Sequence, residues 1–147
     1  MDMLSPESGL DLLDESWPIY AKSVSMPTAY LGRHAQVSHS AFNRGGDLEG
    51  TVENSVLSAG VNVEEGARVS YSVLMPGVTV KAGAMVEYAI VGQDALIGEN
   101  CRVGASPEGV DPQAWGLTVL APGCALEAGT AVPPKTMLSK NGEEVAR

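Results

Sequence analysis

Few residues in the chain can do acid–base, nucleophilic or metal chemistry: His34 and His39, Cys101 and Cys124, and carboxylates such as Glu64, Glu65 and Glu99. An imidazole is the right group for a general base, but neither histidine has a partner that sequence spacing identifies. A histidine-held zinc centre needs more imidazoles than two. Gly45-Gly46 is followed by Asp47-Leu48, not by the Lys and Ser or Thr of a phosphate-cradling loop, so it reads as a turn. Glu64, Glu65 and Glu99 fall at loose, outward positions of the pattern described next and read as a solvated face.

The elements that would position these groups are repeats. SVLSAGVNVEEGARVSY, from Ser55 to Tyr71, is followed directly by SVLMPGVTVKAGAMVEY, from Ser72 to Tyr88. A third block, Ala89 to Ala105, keeps the register, with Val91, Ile97 and Val103 answering Leu74, Val80 and Val86, and Leu57, Val63 and Val69. A fourth, Thr118 to Pro134, does so with Leu120, Leu126 and Val132. Upstream, Ser40 to Asn54 is a copy two residues short, with Phe42, Leu48 and Val52 in the same roles, and Leu31 and Val37 belong to an opening coil.

Aliphatic residues six, six and five apart match neither a helix nor a long amphipathic strand. With glycines near the corners, they predict short strand, bend, short strand, three sides to a coil. Parallel strands of successive coils then lie about 4.8 Å apart, and each aliphatic residue stacks on its counterpart in the next coil. One coil cannot bury its own apolar corners, whereas five to six stacked coils share a core. The prediction is an all-β hexapeptide-repeat solenoid over residues 29–134. Residues 1–28 are expected to be a linker from an amino-terminal domain, and residues 135–147 a polar tail.

Composition fits this reading. Hydrophobic residues make up 44% of the 147, but aromatic ones only 5%, as a narrow triangular interior requires. The net charge of −9, with Lys and Arg scattered singly, disfavours nucleic acid and anionic membranes as partners. No run approaches the roughly 20 apolar residues of a membrane span, and no signal-peptide pattern follows Met1, so the expected location is cytoplasmic. Cys101 and Cys124 occupy small inward positions of the repeat and are expected to be buried free thiols, not a disulfide, metal ligands or a nucleophile.

WPIYAKSVSMPTAYLG (Trp17 to Gly32), together with EGTVENSVLSAGV and SYSVLMPGV, resembles the carboxy-terminal part of bacterial glucose-1-phosphate adenylyltransferase, or ADP-glucose pyrophosphorylase, or its non-catalytic paralogous subunit. The likeness covers most of Leu12 to Val103. It implies a left-handed parallel β-helix, a handedness that spacing alone does not give and that the usual right-handed crossover preference would oppose. It also implies a role in oligomer assembly and allosteric regulation, beside an amino-terminal nucleotidyltransferase domain and other subunits. That catalytic domain would use ATP and Mg²⁺ to form ADP-glucose in glycogen or starch synthesis. Its GGxGxRLxPLT-like loop is absent from these 147 residues, so the chain is expected to have no catalytic residues, cofactor or metal of its own.

In plant members of that family, basic effector-binding residues sit in loops matching about Gly92 to Asp94 and Ala121 to Pro122. Here those loops read GQD and AP. Arg33 and Arg44, near the opening coils, are the remaining candidates to hold an anionic effector, the alternative being ordinary solvated surface. The shortened coil, Gly45-Gly46-Asp47-Leu48-Glu49-Gly50, also departs from the family's GCxIxG pattern.

The repeat is interrupted from Ala105 to Leu117, a segment with two prolines that ends near Trp115. Trp115 is a candidate contact for a neighbouring subunit or the catalytic domain, the other reading being that it folds back on its own coil. A second functional class stays open: an independent hexapeptide-repeat acyltransferase, with His34 or His39 as base.

Overall fold

The computed structural model describes residues 25–108 and 115–145, all strand, turn and bend with no helix among them. The expected linker before Ser25 and the middle of the excursion lie outside the described residues. Eighteen short strands make six coils. The first holds β1 (Tyr30–Leu31), β2 (Gln36–Ser38) and β3 (Ala41–Phe42), and the second β4 (Asp47–Leu48), β5 (Thr51–Glu53) and β6 (Val56–Leu57). The third has β7 (Asn62–Val63), β8 (Arg68–Ser70) and β9 (Val73–Leu74), and the fourth β10 (Thr79–Val80), β11 (Met85–Glu87) and β12 (Ala89–Val91). β13 (Leu96–Ile97), β14 (Arg102–Val103) and β15 (Thr118–Leu120) form the fifth, and β16 (Ala125–Leu126), β17 (Ala131–Val132) and β18 (Met137–Leu138) the sixth.

Every third strand pairs in parallel, giving three six-stranded sheets that form the sides of a prism. Side A begins with β1, side B with β2 and side C with β3. The chain is a left-handed parallel β-helix of hexapeptide repeats, as the resemblance implies. Register is the one the repeats dictate: Leu57 on Leu74, Val63 on Val80, Val69 on Val86, and Val91 on Leu120 across the interruption. These columns and the small residues between them, including Val61, Val78, Ala67 and Ala84, form one continuous buried core.

The two missing residues of the short coil come out of one corner. Leu48 pairs with Val63, fifteen on, whereas Val52 pairs with Val69, seventeen on, so the shortening lies between Leu48 and Val52. Glu49 and Gly50 both donate to the Val63 carbonyl there, at 2.8 and 3.3 Å. The chain cuts so close to the next coil that a Cβ on residue 50 would collide with the Ala67 carbonyl oxygen, which explains the glycine.

The corner between sides B and C is built differently. His39, Asn54, Tyr71 and Tyr88 all sit in the left-handed region, with φ of 44° to 48°. Each is followed by a residue of an internal ladder. The Ser55 hydroxyl donates to the Glu53 carbonyl at 2.7 Å and accepts the Ser72 N–H at 3.1 Å. Ser72 repeats this with the Ser70 carbonyl and the Ala89 N–H. Buried backbone donors that the tight corner turns away from the sheet ladder are thereby satisfied.

The solenoid extends past the expected boundary at residue 134. Thr136 is buried, and β18 adds a last strand to side C against β15. The chain then turns back, with an antiparallel bridge between Leu138 and Glu144 and a Val145 N–H to the Met137 carbonyl at 2.8 Å. Residues 135–145 are therefore not simply a polar tail, because the free edge of β18 needs a partner for its backbone groups.

Candidate functional site

The candidate residues do not converge. His34 and Arg33 lie in the exposed turn between β1 and β2, and His39 at the exposed corner between β2 and β3. His34 Nδ1 is 3.1 Å from Glu65 Oε1, but the two side chains are 61% and 72% exposed, so the pair stands in open solvent. Arg44 is at the corner between sides C and A, a different corner from Arg33. It lines a shallow hollow of about 320 Å³ with Thr28, Ala29, Phe42 and Asn43. Gly92 to Asp94 and Ala121 to Pro122 do stack, with a Gly123 N–H to the Gln93 carbonyl at 2.7 Å, and they bring no cation with them.

A polar recess lies on side A, about 410 Å³ between Asp47, Glu49, Asn62, Glu64, Thr79 and Lys81. Lys81 Nζ meets Glu64 Oε1 at 2.6 Å, and the Ala82 N–H donates to Glu64 Oε2 at 3.0 Å. The Lys81 hydrogen bond, helped by that N–H, lowers the Glu64 pKa against the opposing effect of burial. Its one cation is thus already committed. Glu64 is not the plain solvated carboxylate that its outward position suggests.

Cys101 and Cys124 are free and buried, as expected from their place in the repeat. Cys101 Sγ donates to the Glu127 carbonyl at 3.0 Å, and burial raises the Cys124 thiol pKa, which makes it a poor nucleophile. Among the described residues no three His, Cys, Asp or Glu side chains are grouped to hold a metal. No helix among the described residues is long and apolar enough to cross a membrane.

Trp115 is half-buried at the foot of the excursion. Its Nε1 donates to the Ala105 carbonyl at 2.9 Å, so the indole ties together the two ends of the interruption. Tyr88 meets it edge-on at 5.5 Å, and Tyr88 stacks on Tyr71 at 4.7 Å with rings 7° from parallel. The excursion leaves at Gly104, where φ is +73° and a Cβ would collide with the Glu87 carbonyl oxygen. Sequence reasoning singled out Trp115 but not the two tyrosines. The signal was their shared place at the end of consecutive repeats.

The exterior of side C also escaped notice. Its outward column is Ala41, Val56, Val73, Ile90, Val119 and Met137, each aligned on the next by strand pairing. The residues just after these strands' inward positions are Asn43, Ser58, Met75, Gly92, Ala121 and Ser139. No charged residue interrupts either column.

Comparison with known proteins agrees with the fold. Residues 31–126 match the family model for the GlmU-like, C-terminal hexapeptide. The glucose-1-phosphate adenylyltransferase of Geobacillus stearothermophilus is 46% identical over 69 residues, and that of Bacillus mycoides 44%. Those 69 residues are 47% of this chain and 18% of each relative, so the chain matches under a fifth of the enzyme's length. Among solved structures, the acetyltransferase domain of PglB from Neisseria gonorrhoeae, in complex with acetyl coenzyme A, superposes with a TM-score of 0.61 at 20% identity. That match covers 82% of this chain and 58% of the other. GDP-perosamine N-acetyl transferase from Caulobacter crescentus gives 0.59 at 12%, covering 83% and 58%. At such identities the likeness is one of fold alone. By its matched repeats, from residue 31 to residue 126, the chain belongs to the GlmU-like C-terminal hexapeptide family.

Proposed function

We propose that the chain is the regulatory and assembly module of an ADP-glucose-forming nucleotidyltransferase of glycogen or starch synthesis. The observation that carries this is the 44–46% identity to glucose-1-phosphate adenylyltransferases over 69 residues of repeat, against 20% or less to the acetyltransferases that share the fold. ATP, Mg²⁺ and glucose 1-phosphate belong to the catalytic domain that such a module serves. An anionic effector would be drawn to Arg33 or Arg44, each acting alone at its own corner.

The test is to mix the purified chain with a separately expressed adenylyltransferase catalytic domain. The expected result is co-elution, with ADP-glucose formed by the catalytic domain and none by the chain alone. Turnover by the chain itself, abolished by a point substitution, would contradict the module reading. Acetyl transfer from acetyl coenzyme A that disappears in His34→Ala or His39→Ala would establish the acyltransferase reading in its place.

A further inference from the structure

The exterior of side C has the composition of a covered surface. A strand with one face in water alternates apolar and polar residues, whereas a strand covered on both faces reads as a continuous apolar run. On side B the strands alternate, as in Thr51-Val52-Glu53 and Met85-Val86-Glu87. On side C they read Val56-Leu57, Val73-Leu74, Ala89-Ile90-Val91 and Thr118-Val119-Leu120. Leu57, Leu74, Val91 and Leu120 fill the core, while Ile90 is 38% and neighbouring Met75 41% exposed.

One edge of this face is bounded by the tyrosine corner. A bulky residue at positive φ carries strain that Asn or Gly would avoid, yet Tyr71 and Tyr88 hold that conformation on consecutive coils, and Tyr71 is 42% exposed. The stack they form is a rigid aromatic ridge, the residue type enriched at protein contacts.

From this we infer that side C is a self-association face, covered by side C of a second copy of this chain. The inference rests on the assembly role proposed above and names its surface. Charge selects the occupant. The chain carries −9, so two copies repel wherever acidic surfaces meet, as side A would with Asp47, Glu49, Glu64 and Glu127. Side C is the side whose strands hold no charged residue. A flat, uncharged face gains nothing from a charged partner and fits another of the same kind. A second copy offers one with the same rung spacing of about 4.8 Å, and two such sheets pack about 10 Å apart. Six rungs with the flanking corners give on the order of 1,000 Å² buried in total, the lower bound for a specific interface. The contact is isologous, so one substitution strikes it twice.

Sedimentation of the 147-residue chain over a dilution series tests this. Wild type should dimerise. Val73→Glu combined with Ile90→Glu should raise the dimer dissociation constant about a hundredfold or more, since uncompensated carboxylates would be buried on both copies. Thr79→Glu, at the same height on side A, should leave it unchanged. Ile90→Thr keeps the β-branched shape and should weaken the dimer while the thermal transition stays in place. A wild type that is monomeric throughout, and that does not bind the separately expressed catalytic domain either, would overturn both the face and the assembly role. A dimer indifferent to Val73 and Ile90 would overturn the face and leave the assembly role standing. A monomeric chain that loses binding to the separately expressed catalytic domain on the same substitutions would show that the domain, not a second copy, is the occupant.

Discussion

Sides A and C of the prism bury matching inward columns and differ outside. Side A presents Asp47, Asn62 and Thr79 in the middle of one outward column, between Tyr30 and Leu96, and Glu49, Glu64 and Lys81 in the next, with an ion pair between two of them. Side C presents Val56, Val73 and Ile90 beside Ser58 and Met75. The repeat therefore constrains the inside, where every coil must stack, and leaves the outside free to differ from side to side. Stability is shared among three equivalent walls, and the self-association proposed above belongs to one of them.

The strongest way to break that division is to put charge inside. Val80 is fully buried on side A, and Val80→Asp would place an unpaired carboxylate in the core. Its cost of several kcal/mol is comparable to a whole-domain stability of about 5 to 15 kcal/mol, so the variant should not fold. Lys81→Asp, one residue on and facing out, should melt only a little below wild type, through lost pairing with Glu64. Urea midpoints measured side by side decide it, and equal losses would refute the inward register.

A smaller effect is expected at the short corner. Gly50→Ala drives a methyl into the neighbouring coil's backbone, which cannot yield as a side chain could, and should cost about 2 to 3 kcal/mol. Next is the serine ladder. Ser72→Ala leaves the buried Ala89 N–H without its acceptor and should cost about 1 to 3 kcal/mol, whereas Ser40→Ala, at the open end, should cost less. Calorimetry of the two alanine variants would show whether the ladder matters only where it is buried.

The smallest expected effect is the outward ion pair of side A. Glu64 has its pKa lowered by Lys81, so what the pair contributes is present above the carboxylate's ordinary value of 4.5 and is lost as pH falls through the folded value. Lys81 has its pKa raised, so on that side the contribution is lost only as pH climbs past the ordinary 10.5. The Tm gap between wild type and Glu64→Gln should therefore be widest near neutral pH and close on acidification. A gap that widens in acid would contradict the pairing.

The inward columns were legible because stacking repeats one constraint in every coil, so Leu74, Val80 and Val86 each have an aliphatic counterpart in the coils on either side. Residues that answer to one place only were not. The last rung was missed because Lys135, with φ of 64°, stands at the corner where other coils place His39, Asn54, Tyr71 and Tyr88, and no single residue type in that set marks the turn before Thr136 and β18. The tyrosine corner was visible as a repeated terminal Tyr, but nothing in that spacing shows a left-handed backbone or a ring stack. The dispersal of Arg33, Arg44, His34 and His39 depends on which corner each turn occupies, which the count of residues along a coil gives only once the coil is closed. Side C's exterior was readable in the lack of alternation at Val56-Leu57 and Val73-Leu74, a signal masked by the attention that inward residues command.

Adjacent residues on one strand offer the most direct test of the division between wall and face. Ile90 points out of side C and Val91 into the core, in β12. Thermal melts and sedimentation on the same samples of Ile90→Glu and Val91→Glu should separate them. The account predicts that Ile90→Glu keeps the wild-type transition and sediments as a monomer, while Val91→Glu shows no cooperative transition. Loss of the fold in both, or a dimer undisturbed by Ile90→Glu, would contradict it.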